Sequence, residues 1–189
     1  MKKIYISFVL LSLICLGFAS FSFAEDTIKI GFNIPLTGEI PKVGEESKFA
    51  GQMRMNEVNA AGGLDVGGKK YKLEFIYEDN ESKAESAVAV TLKLIERDQV
   101  LAIVGPNSSK QAVPAGQVAN DNRTPMISPW STNPDTTKDR PWVFRAAFID
   151  PFQGPIAVDF AIKTFKAQKA AVLYALANDY SKNLAEIFQ

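Results

Sequence analysis

Residues 100–109 read V-L-A-I-V-G-P-N-S-S, and this stretch decides the class of fold. The run from Val100 to Val104 is apolar throughout, which predicts a short strand buried on both of its faces. Gly105 to Ser109 predicts a turn, and a helix is expected to follow it as far as about Asn120. A buried strand that leads through a turn into a helix is the repeating unit of an α/β fold.

The same alternation of strand and helix continues on both sides of this unit. Apolar residues at every second position predict strands at 28–34 and 71–77, and helical spacing predicts helices at 45–61 and 84–95. Further strands are expected at 125–128, 142–146 and 170–174, and further helices from Asp150, its cap, and from Ser181. We therefore predict a parallel sheet with helices on both faces.

Two of these helices carry more detailed expectations. On the helix at 45–61, Phe49 and Met53 are expected to face the sheet, since they lie on one side of the helix. The segment Ser82-Lys83-Ala84-Glu85 matches a capping box, in which serine and glutamate each bind a free backbone N–H. Ser82 is therefore predicted to cap the helix at 84–95.

The composition excludes several classes of function. The 189 residues include 21 basic and 21 acidic side chains, no histidine and one cysteine. A neutral balance gives no basic surface for nucleic acid. Without histidine there is no Ser-His-Asp or Cys-His catalytic pair, and one cysteine allows neither a disulfide framework nor a cysteine-rich zinc site. We expect a protein that is not an enzyme and holds no metal or cofactor.

Residues 1–24 predict a cleaved signal peptide. A basic start at Lys2 and Lys3 precedes an apolar run that ends in Ser22-Phe23-Ala24, the small-x-small pattern of a cleavage site. The alternative is a membrane anchor, because the run approaches the length that spans a bilayer. We favour cleavage, which leaves a mildly acidic exported chain and predicts a periplasmic location.

Hydroxyl side chains gather where ligands bind in open α/β sheets, at the carboxyl ends of the strands. Ser108 and Ser109 precede a helix whose free N–H groups and dipole favour an anion, and Thr132 in a neighbouring loop adds a donor. This arrangement predicts a cradle for a carboxylate. The alternative is that Ser109 only caps its helix and Thr132 only supports a turn.

Two other segments suggest chemistry less strongly. Residues 63–70 resemble a phosphate-binding loop but lack its final Ser or Thr and its strand-before-helix setting, so a polar turn is preferred. Residues 78–81, E-D-N-E, suggest a metal or an acid–base pair, but a solvated strand end explains them better.

Several segments together resemble the leucine/isoleucine/valine-binding protein family. They are I-K-I-G-F-N-I-P-L-T-G at 28–38, N-A-A-G-G-L at 59–64, V-G-P-N-S-S at 104–109 and I-S-P-W-S-T-N-P at 127–134, with shorter matches at 144–145, 150–154 and 178–180. These proteins are the periplasmic solute receptors of branched-chain amino-acid ABC transporters. The resemblance covers the mature chain in order.

The resemblance implies a type I periplasmic binding fold, a two-lobed clamp that closes on a small amino acid or a related molecule. Residues 25–146 would form the first lobe, and residues 147–189 the crossing and the start of a second lobe that is only begun. We therefore expect a chain truncated from a longer protein. The implied partners are an amino acid and an inner-membrane ABC permease, and the implied state is a monomer. The alternative is a ligand-sensing domain of the same fold in a receptor or regulator.

The resemblance also assigns roles to individual residues. Ser109, beside Ser108, and Thr132 match the positions that hold the ligand carboxylate, and a backbone carbonyl near Trp130 or Ser131 would accept the ammonium. Tyr180 matches an aromatic residue of the second lobe. Two positions depart from the family: Val43 stands where an aromatic wall is frequent, and Trp130 where a small residue is common. Both departures put the branched-chain specificity in question.

Overall fold

The computed structural model describes residues 26–189, and the predicted signal peptide at residues 1–24 lies outside them. Six strands and five α-helices follow one another in this part of the chain. They are β1 Thr27–Ile34, α1 Pro41–Ala60, β2 Leu64–Val66, β3 Lys69–Asp79, α2 Ala84–Glu96, β4 Ala102–Val104, α3 Ser109–Asp121, β5 Met126–Ser128, β6 Val143–Arg145, α4 Asp150–Phe165 and α5 Asp179–Phe188, with a short 3-10 helix at Pro134–Thr136.

The six strands form one sheet in the order β2-β3-β1-β4-β5-β6. Strands β3, β1, β4, β5 and β6 run parallel, so that their carboxyl ends meet at one edge, as predicted. The edge strand β2 is antiparallel to β3, which makes the sheet mixed. The polar turn expected at 63–70 is therefore a β-hairpin, and a strand follows it where a phosphate-binding loop would need a helix.

Helices cover both faces of the sheet, and neighbouring residues of β1 show this directly. A side chain at Gly31 would meet Leu94 of α2, whereas the ring of Phe32 lies under Gly51 of α1. Successive residues of a strand point to opposite faces, so α1 and α2 lie on opposite sides. Helix α3 packs against α2, and the parallel sheet is covered as the buried strand β4 requires.

The hydrophobic core lies between the sheet and the pair α2–α3. It is built from residues of α2, α3, strands β4 to β6 and the turn before β4, namely Ala87, Val90, Leu94, Val100, Ile103, Ala115, Ala119, Met126 and Val143. The core is rich in alanine on α3, which lets that helix approach α2 closely. Helical spacing predicts six inward positions of α2, which are Ala84, Ala87, Val88, Thr91, Leu92 and Ile95. Ala87 and Thr91 are fully buried and the other four partly, whereas the buried residues Val90 and Leu94 were missed.

Helix α1 differs from its prediction in its start and in its buried face. It begins at Pro41 rather than at residue 45, and Phe49 and Met53 are each 63% exposed. Gly44, Gly51 and Val58 face inward instead. The expectation was wrong because glycines allow the helix backbone itself to approach the sheet, whereas hydrophobic periodicity detects only large apolar side chains.

Ser82 does not cap α2, so the predicted capping box is wrong. The cap residue of α2 is Lys83, whose side chain makes no capping hydrogen bond, while Ser82 has the left-handed φ of 57°. Its hydroxyl instead accepts from the N–H groups of Glu39 and Ile40, at 3.0 and 3.3 Å, and donates to the carbonyl of Thr37. Ser82 therefore fastens the β1–α1 loop rather than its own helix.

The strand expected at 170–174 is absent from the described part of the chain. These residues form no ladder with any of the six strands, and all five are exposed or nearly so. A strand is stabilised by pairing with a neighbouring strand, and an apolar sequence alone does not supply that neighbour. No helix within residues 26–189 is long and apolar enough to cross a membrane.

Candidate ligand-binding cleft

A cleft of about 310 Å³ opens at the carboxyl edge of the parallel strands. The loops after β1, β4 and β5 form one side, and the segment into α4 and the start of α5 form the other. The lining residues are Glu39, Ile40, Asn107, Ser108, Ser109, Gln111, Trp130, Thr132, Ala147, Phe148, Gln153, Asn178 and Tyr180. Polar side chains and aromatic rings therefore share one enclosed space at the edge where open α/β sheets bind ligands.

The amino terminus of α3 reaches this cleft without a side-chain cap. Its cap residue, Ser108, makes no side-chain hydrogen bond to the helix, and its carbonyl accepts from the N–H groups of Gln111 and Ala112. Helix α5 differs, because the Asn178 side chain accepts from two N–H groups of its first turn. The first turn of α3 keeps free N–H groups and the positive end of its dipole for an anion.

Ser109 is the first of a chain of three buried hydroxyl groups. The Ser109 Oγ is 2.8 Å from the Ser131 Oγ, which is 2.7 Å from the Thr136 Oγ1. If Thr136 donates to Ser131 and Ser131 to Ser109, the Ser109 proton is free for the cleft. In the reverse direction the buried Thr136 proton has no acceptor among residues 26–189, which is costly. The burial of Thr136 therefore orients Ser109 as a donor.

Thr132 lines the same cleft as the α3 terminus. It is buried, and its hydroxyl has no hydrogen-bond partner in the described residues. Its backbone is fixed, since the carbonyl of Thr132 accepts from the N–H of Asp150 at 3.0 Å. An unpaired buried hydroxyl costs about 1–3 kcal/mol, and a ligand that pairs with it recovers part of that cost.

Arg145, at the end of β6, holds the loop that carries Thr132. Its guanidinium donates four hydrogen bonds into this loop, to the carbonyls of Ser131, Asn133 and Pro134 and to the hydroxyl of Thr137. Burial lowers the pKa of Arg145, although nearby Asp150 opposes that shift. The planar guanidinium group can donate to several fixed acceptors at once, so Arg145 holds several residues of the loop in place.

The β1–α1 loop, which brings Glu39 and Ile40 to the cleft, is held by Asp79. The Asp79 carboxylate accepts from the N–H groups of Leu36 and Thr37 and, at 2.6 Å, from the Thr37 hydroxyl. Burial raises the pKa of Asp79, but the bonds from Thr37, Glu81 and Leu36 outweigh it and lower the pKa below its ordinary value. The ionised form of Asp79 is therefore the one that holds the loop.

Three aromatic rings supply apolar surface to the cleft wall. Trp130, Phe148 and Tyr180 come from the β5 loop, the segment before α4 and the first turn of α5. The Tyr180 hydroxyl accepts from the Gln153 side chain at 3.0 Å, which links the starts of α4 and α5 beside the cleft. The rings remain partly exposed and offer apolar surface to a ligand.

The structure gathers most of the sequence-predicted site residues at this cleft. Ser108, Ser109, Trp130, Thr132 and Tyr180 line it. It does not place the other two on the wall: Ser131 lies one hydrogen bond behind Ser109, and Val43 lies in the first turn of α1. The Ser131 carbonyl already accepts from Arg145 at 3.2 Å, which competes with the ammonium role expected for it.

Sequence reasoning missed other residues of the site. Asn107 and Gln111 flank the predicted serines, and their place after a buried strand is a signal that could have found them. Phe148 carries no such signal, because only the folded chain brings the segment before α4 to the cleft. Thr136 and Arg145 act from behind the wall, where sequence spacing gives no information.

The carboxylates of the acidic segment 78–81 make contacts within the protein. Glu78 pairs with Lys93 at 2.7 Å, and Asp79 holds the β1–α1 loop. Across residues 26–189 no group of three Asp, Glu, His or Cys side chains is placed to hold a metal ion. These carboxylates serve the structure.

Comparison with known proteins identifies the family. The sequence profile of the family described as periplasmic binding protein matches residues 27–188. The chain belongs to this family. The resemblance seen in the sequence motifs is thereby confirmed, and so is the type I periplasmic binding fold.

Individual relatives of this periplasmic binding protein are similar over part of their length. A leucine-, isoleucine-, valine-, threonine- and alanine-binding protein of Pseudomonas aeruginosa is 34% identical over 84% of this chain and 41% of its own length. A Leu/Ile/Val-binding protein of Escherichia coli is 27% identical over 93% of this chain and 46% of its own. The chain thus spans less than half the length of these relatives.

Solved structures agree with this assignment. The LivJ substrate-binding protein of Streptococcus pneumoniae in complex with isoleucine superposes with a TM-score of 0.80 at 34% identity, over 86% of this chain and 46% of that one. The leucine-binding protein LivK of Thermotoga maritima gives a TM-score of 0.77 at 32% identity, over 85% of this chain and 44% of that one. These relatives are named as amino-acid-binding proteins, and LivJ as the substrate-binding protein of a branched-chain amino acid transporter, which supports a solute-binding role for the periplasmic binding protein described here.

Proposed function

We propose that this protein is an extracytoplasmic solute-binding protein, which captures an amino acid or a related small carboxylate and delivers it to an ABC transporter. In this proposal residues 1–24 direct export to the periplasm and are removed, and the binding unit acts as a monomer without enzymatic activity. The names of its relatives support a ligand of the branched-chain amino-acid class.

One observation carries the proposal. The uncapped amino terminus of α3, the Ser109 hydroxyl and the unpaired Thr132 hydroxyl all lie at one cleft. Each of these groups gains from meeting an anion, and together they match the two oxygens of a carboxylate.

The expected affinity is sufficient for a transport receptor. A hydrogen bond to a charged group contributes about 1.5–3 kcal/mol. Three or four such bonds, after the cost of immobilising the ligand, correspond to a dissociation constant of about micromolar. No arginine is needed on the wall for binding of this strength.

The mechanism that we propose is closure of two lobes around the ligand. Residues 25–146 would form the first lobe and hold the carboxylate, and residues 147–189 would begin the second lobe and contribute Tyr180. A ligand shifts such an equilibrium only as far as it binds the closed form more tightly than the open form. The backbone carbonyls near Trp130 would accept the ammonium of an amino acid.

The test is a calorimetric titration of the full-length protein with leucine, isoleucine and alanine, and with leucinamide, which lacks the carboxylate. The amino acids should bind and leucinamide should not. Ser109→Ala should weaken binding by about 1–3 kcal/mol, because one bond to the carboxylate is lost.

Ser86→Ala provides the matched control, since Ser86 lies on the exposed side of α2 and binds only Glu81. Its titration should equal that of the wild type. If leucinamide binds as well as leucine, or if Ser109→Ala titrates unchanged, the carboxylate cradle is refuted.

A further inference from the structure

We propose that Asn107 is a specificity-determining residue of this cleft, whose Oδ1 accepts a hydrogen bond from an N–H or O–H group of the ligand. Ser47 of α1 is its positioning residue, because it sets the direction of the Asn107 amide. This inference rests on the proposed function and adds a contact that is separate from the carboxylate cradle.

Asn107 combines deep burial with an unpaired oxygen. The residue lines the cleft and is 3% exposed, and its Oδ1 has no hydrogen-bond partner within residues 26–189. A buried amide oxygen destabilises the protein unless a donor reaches it. The Thr132 hydroxyl is also buried and unpaired, but it can donate to a carboxylate, whereas an amide oxygen can only accept. The Asn107 oxygen therefore requires a donor.

The contact of Asn107 with α1 fixes the orientation of its amide. The Asn107 Nδ2 donates to the Ser47 Oγ at 2.9 Å, and the Ser47 hydroxyl donates to the Val43 carbonyl at 2.8 Å. Because the single hydroxyl proton of Ser47 is used in this way, its oxygen accepts from Asn107, and the nitrogen of the amide must face Ser47. The oxygen of the amide is then the end that remains for a ligand.

The backbone acceptors around the cradle are already engaged within the protein. The carbonyl oxygens of Ser108, Ser131 and Thr132 each accept a hydrogen bond from another group of the chain. A carbonyl can accept a second bond, but each of these has already gained its first. A ligand donor therefore stabilises the complex most where it meets the Asn107 oxygen.

Amino acids carry two kinds of donor that suit this oxygen. The ammonium is bonded to the same carbon as the carboxylate, and Asn107 is two residues before Ser109, so an acceptor next to the cradle suits it. A side-chain hydroxyl, as in threonine, offers the same chemistry. A ligand that lacks the donor leaves the Asn107 oxygen unpaired, and the site thereby discriminates against it.

The experiment compares two pairs of ligands by calorimetry on the full-length protein. L-leucine is paired with 4-methylpentanoate, which has the same carbon skeleton without the ammonium. L-threonine is paired with L-valine, which has a methyl group in place of the hydroxyl. We expect the wild type to prefer the member with the additional donor, in at least one pair, by about tenfold or more.

Two variants test the amide and its orientation. Asn107→Leu keeps the branched shape of the side chain and removes the amide, so the preference should fall below about threefold. Ser47→Ala frees the amide nitrogen and should reduce the preference in part. Asn120→Leu is the matched control, because its Oδ1 is also buried and unpaired in the described part of the chain, but Asn120 lies near the end of α3 and does not line the cleft. Its titrations should match the wild type.

The outcomes identify the donor and separate this inference from the proposed function. A preference that Asn107→Leu removes from the leucine pair assigns the ammonium to Asn107, and one that it removes from the threonine pair assigns the hydroxyl. If the wild type shows neither preference, or if Asn107→Leu leaves both unchanged, the role of Asn107 is wrong and solute binding stands. If no carboxylate binds to the folded wild type, the proposed function is wrong as well.

Discussion

The direction of the Ser109 hydroxyl proton depends on side chains that do not line the cleft. Either oxygen can be the donor in the pairs Ser109–Ser131 and Ser131–Thr136. Because Thr136 is fully buried, the direction that gives its proton an acceptor is donation from Thr136 to Ser131 and from Ser131 to Ser109, which leaves the Ser109 proton for the cleft. Thr136→Val keeps the shape of the side chain but removes the first donor, so Ser131 no longer has to donate to Ser109. We predict that carboxylate binding weakens about threefold to tenfold, measured by calorimetry.

Two further variants separate positioning from damage to the fold. Thr136→Ser restores the hydroxyl and should recover wild-type affinity. Thr124→Val removes another buried threonine hydroxyl, one that bonds only to the carbonyl of Asn122, and should leave binding unchanged. Equal affinity of Thr136→Val and the wild type would show that the hydroxyl chain does not orient Ser109.

At the scale of the elements, Asp79 joins the end of β3 to the loop after β1. Its pKa is lowered from the ordinary value of 3.8, so it binds protons less readily in the folded than in the unfolded chain. A depressed pKa contributes stability that is present above the unfolded value and is lost as the pH falls through the folded value. We predict that urea unfolding shows a loss of stability below about pH 4.

Asp79→Asn should reduce this loss of stability at low pH, because the neutral amide does not titrate. It should also lower the stability at pH 7. The exposed residue Glu74 provides the control, and Glu74→Gln should keep the wild-type pH profile. If Asp79→Asn and the wild type lose the same stability at low pH, the role given to Asp79 is contradicted.

At the scale of the whole molecule, polar contacts join α4 to α5 and join α5 to the loop after β5. Asp150 is fully buried, and its Oδ2 accepts from the Asn183 side chain at 2.8 Å rather than capping α4 as predicted. Asn133 donates to the carbonyl of Asp179 at 3.2 Å. These contacts hold Tyr180 beside the cleft.

Asn183→Ala should therefore destabilise the protein by about 1–3 kcal/mol, because it removes a donor from a buried carboxylate. Chemical denaturation monitored by circular dichroism measures the change. Gln117→Ala is the matched control, since Gln117 donates to Asp121 on the exposed surface, and its effect should stay within about 0.5 kcal/mol. A cost for Asn183→Ala no larger than that of the control would exclude this contact as an anchor of α5.

The sequence predicted regular elements well and side-chain contacts less well. The alternating apolar residues of β1 and the apolar run at β4 both predicted strands, and both are strands in the structure. Helices cover these two strands, so their apolar residues are needed for packing. Phe49 and Met53 misled the prediction, because the glycines of α1 let its backbone face the sheet. Ser82 misled it as well, because a capping-box pattern cannot reveal that a distant loop will offer the serine better partners.

The sequence by itself determined the alternating α/β order and the hydroxyls at the carboxyl edge, because these follow from local periodicity and from residues adjacent in the chain. The family was indicated by the resemblance of several motifs to known proteins. The tertiary structure alone decided which groups share the cleft, that Ser131 stands behind Ser109, and that Phe148 and Tyr180 line the same cleft as Trp130. It also decided that 170–174 is not a strand in the described chain. The physical reason is that strand pairing, burial and the direction of a hydroxyl proton depend on neighbours that are distant in sequence.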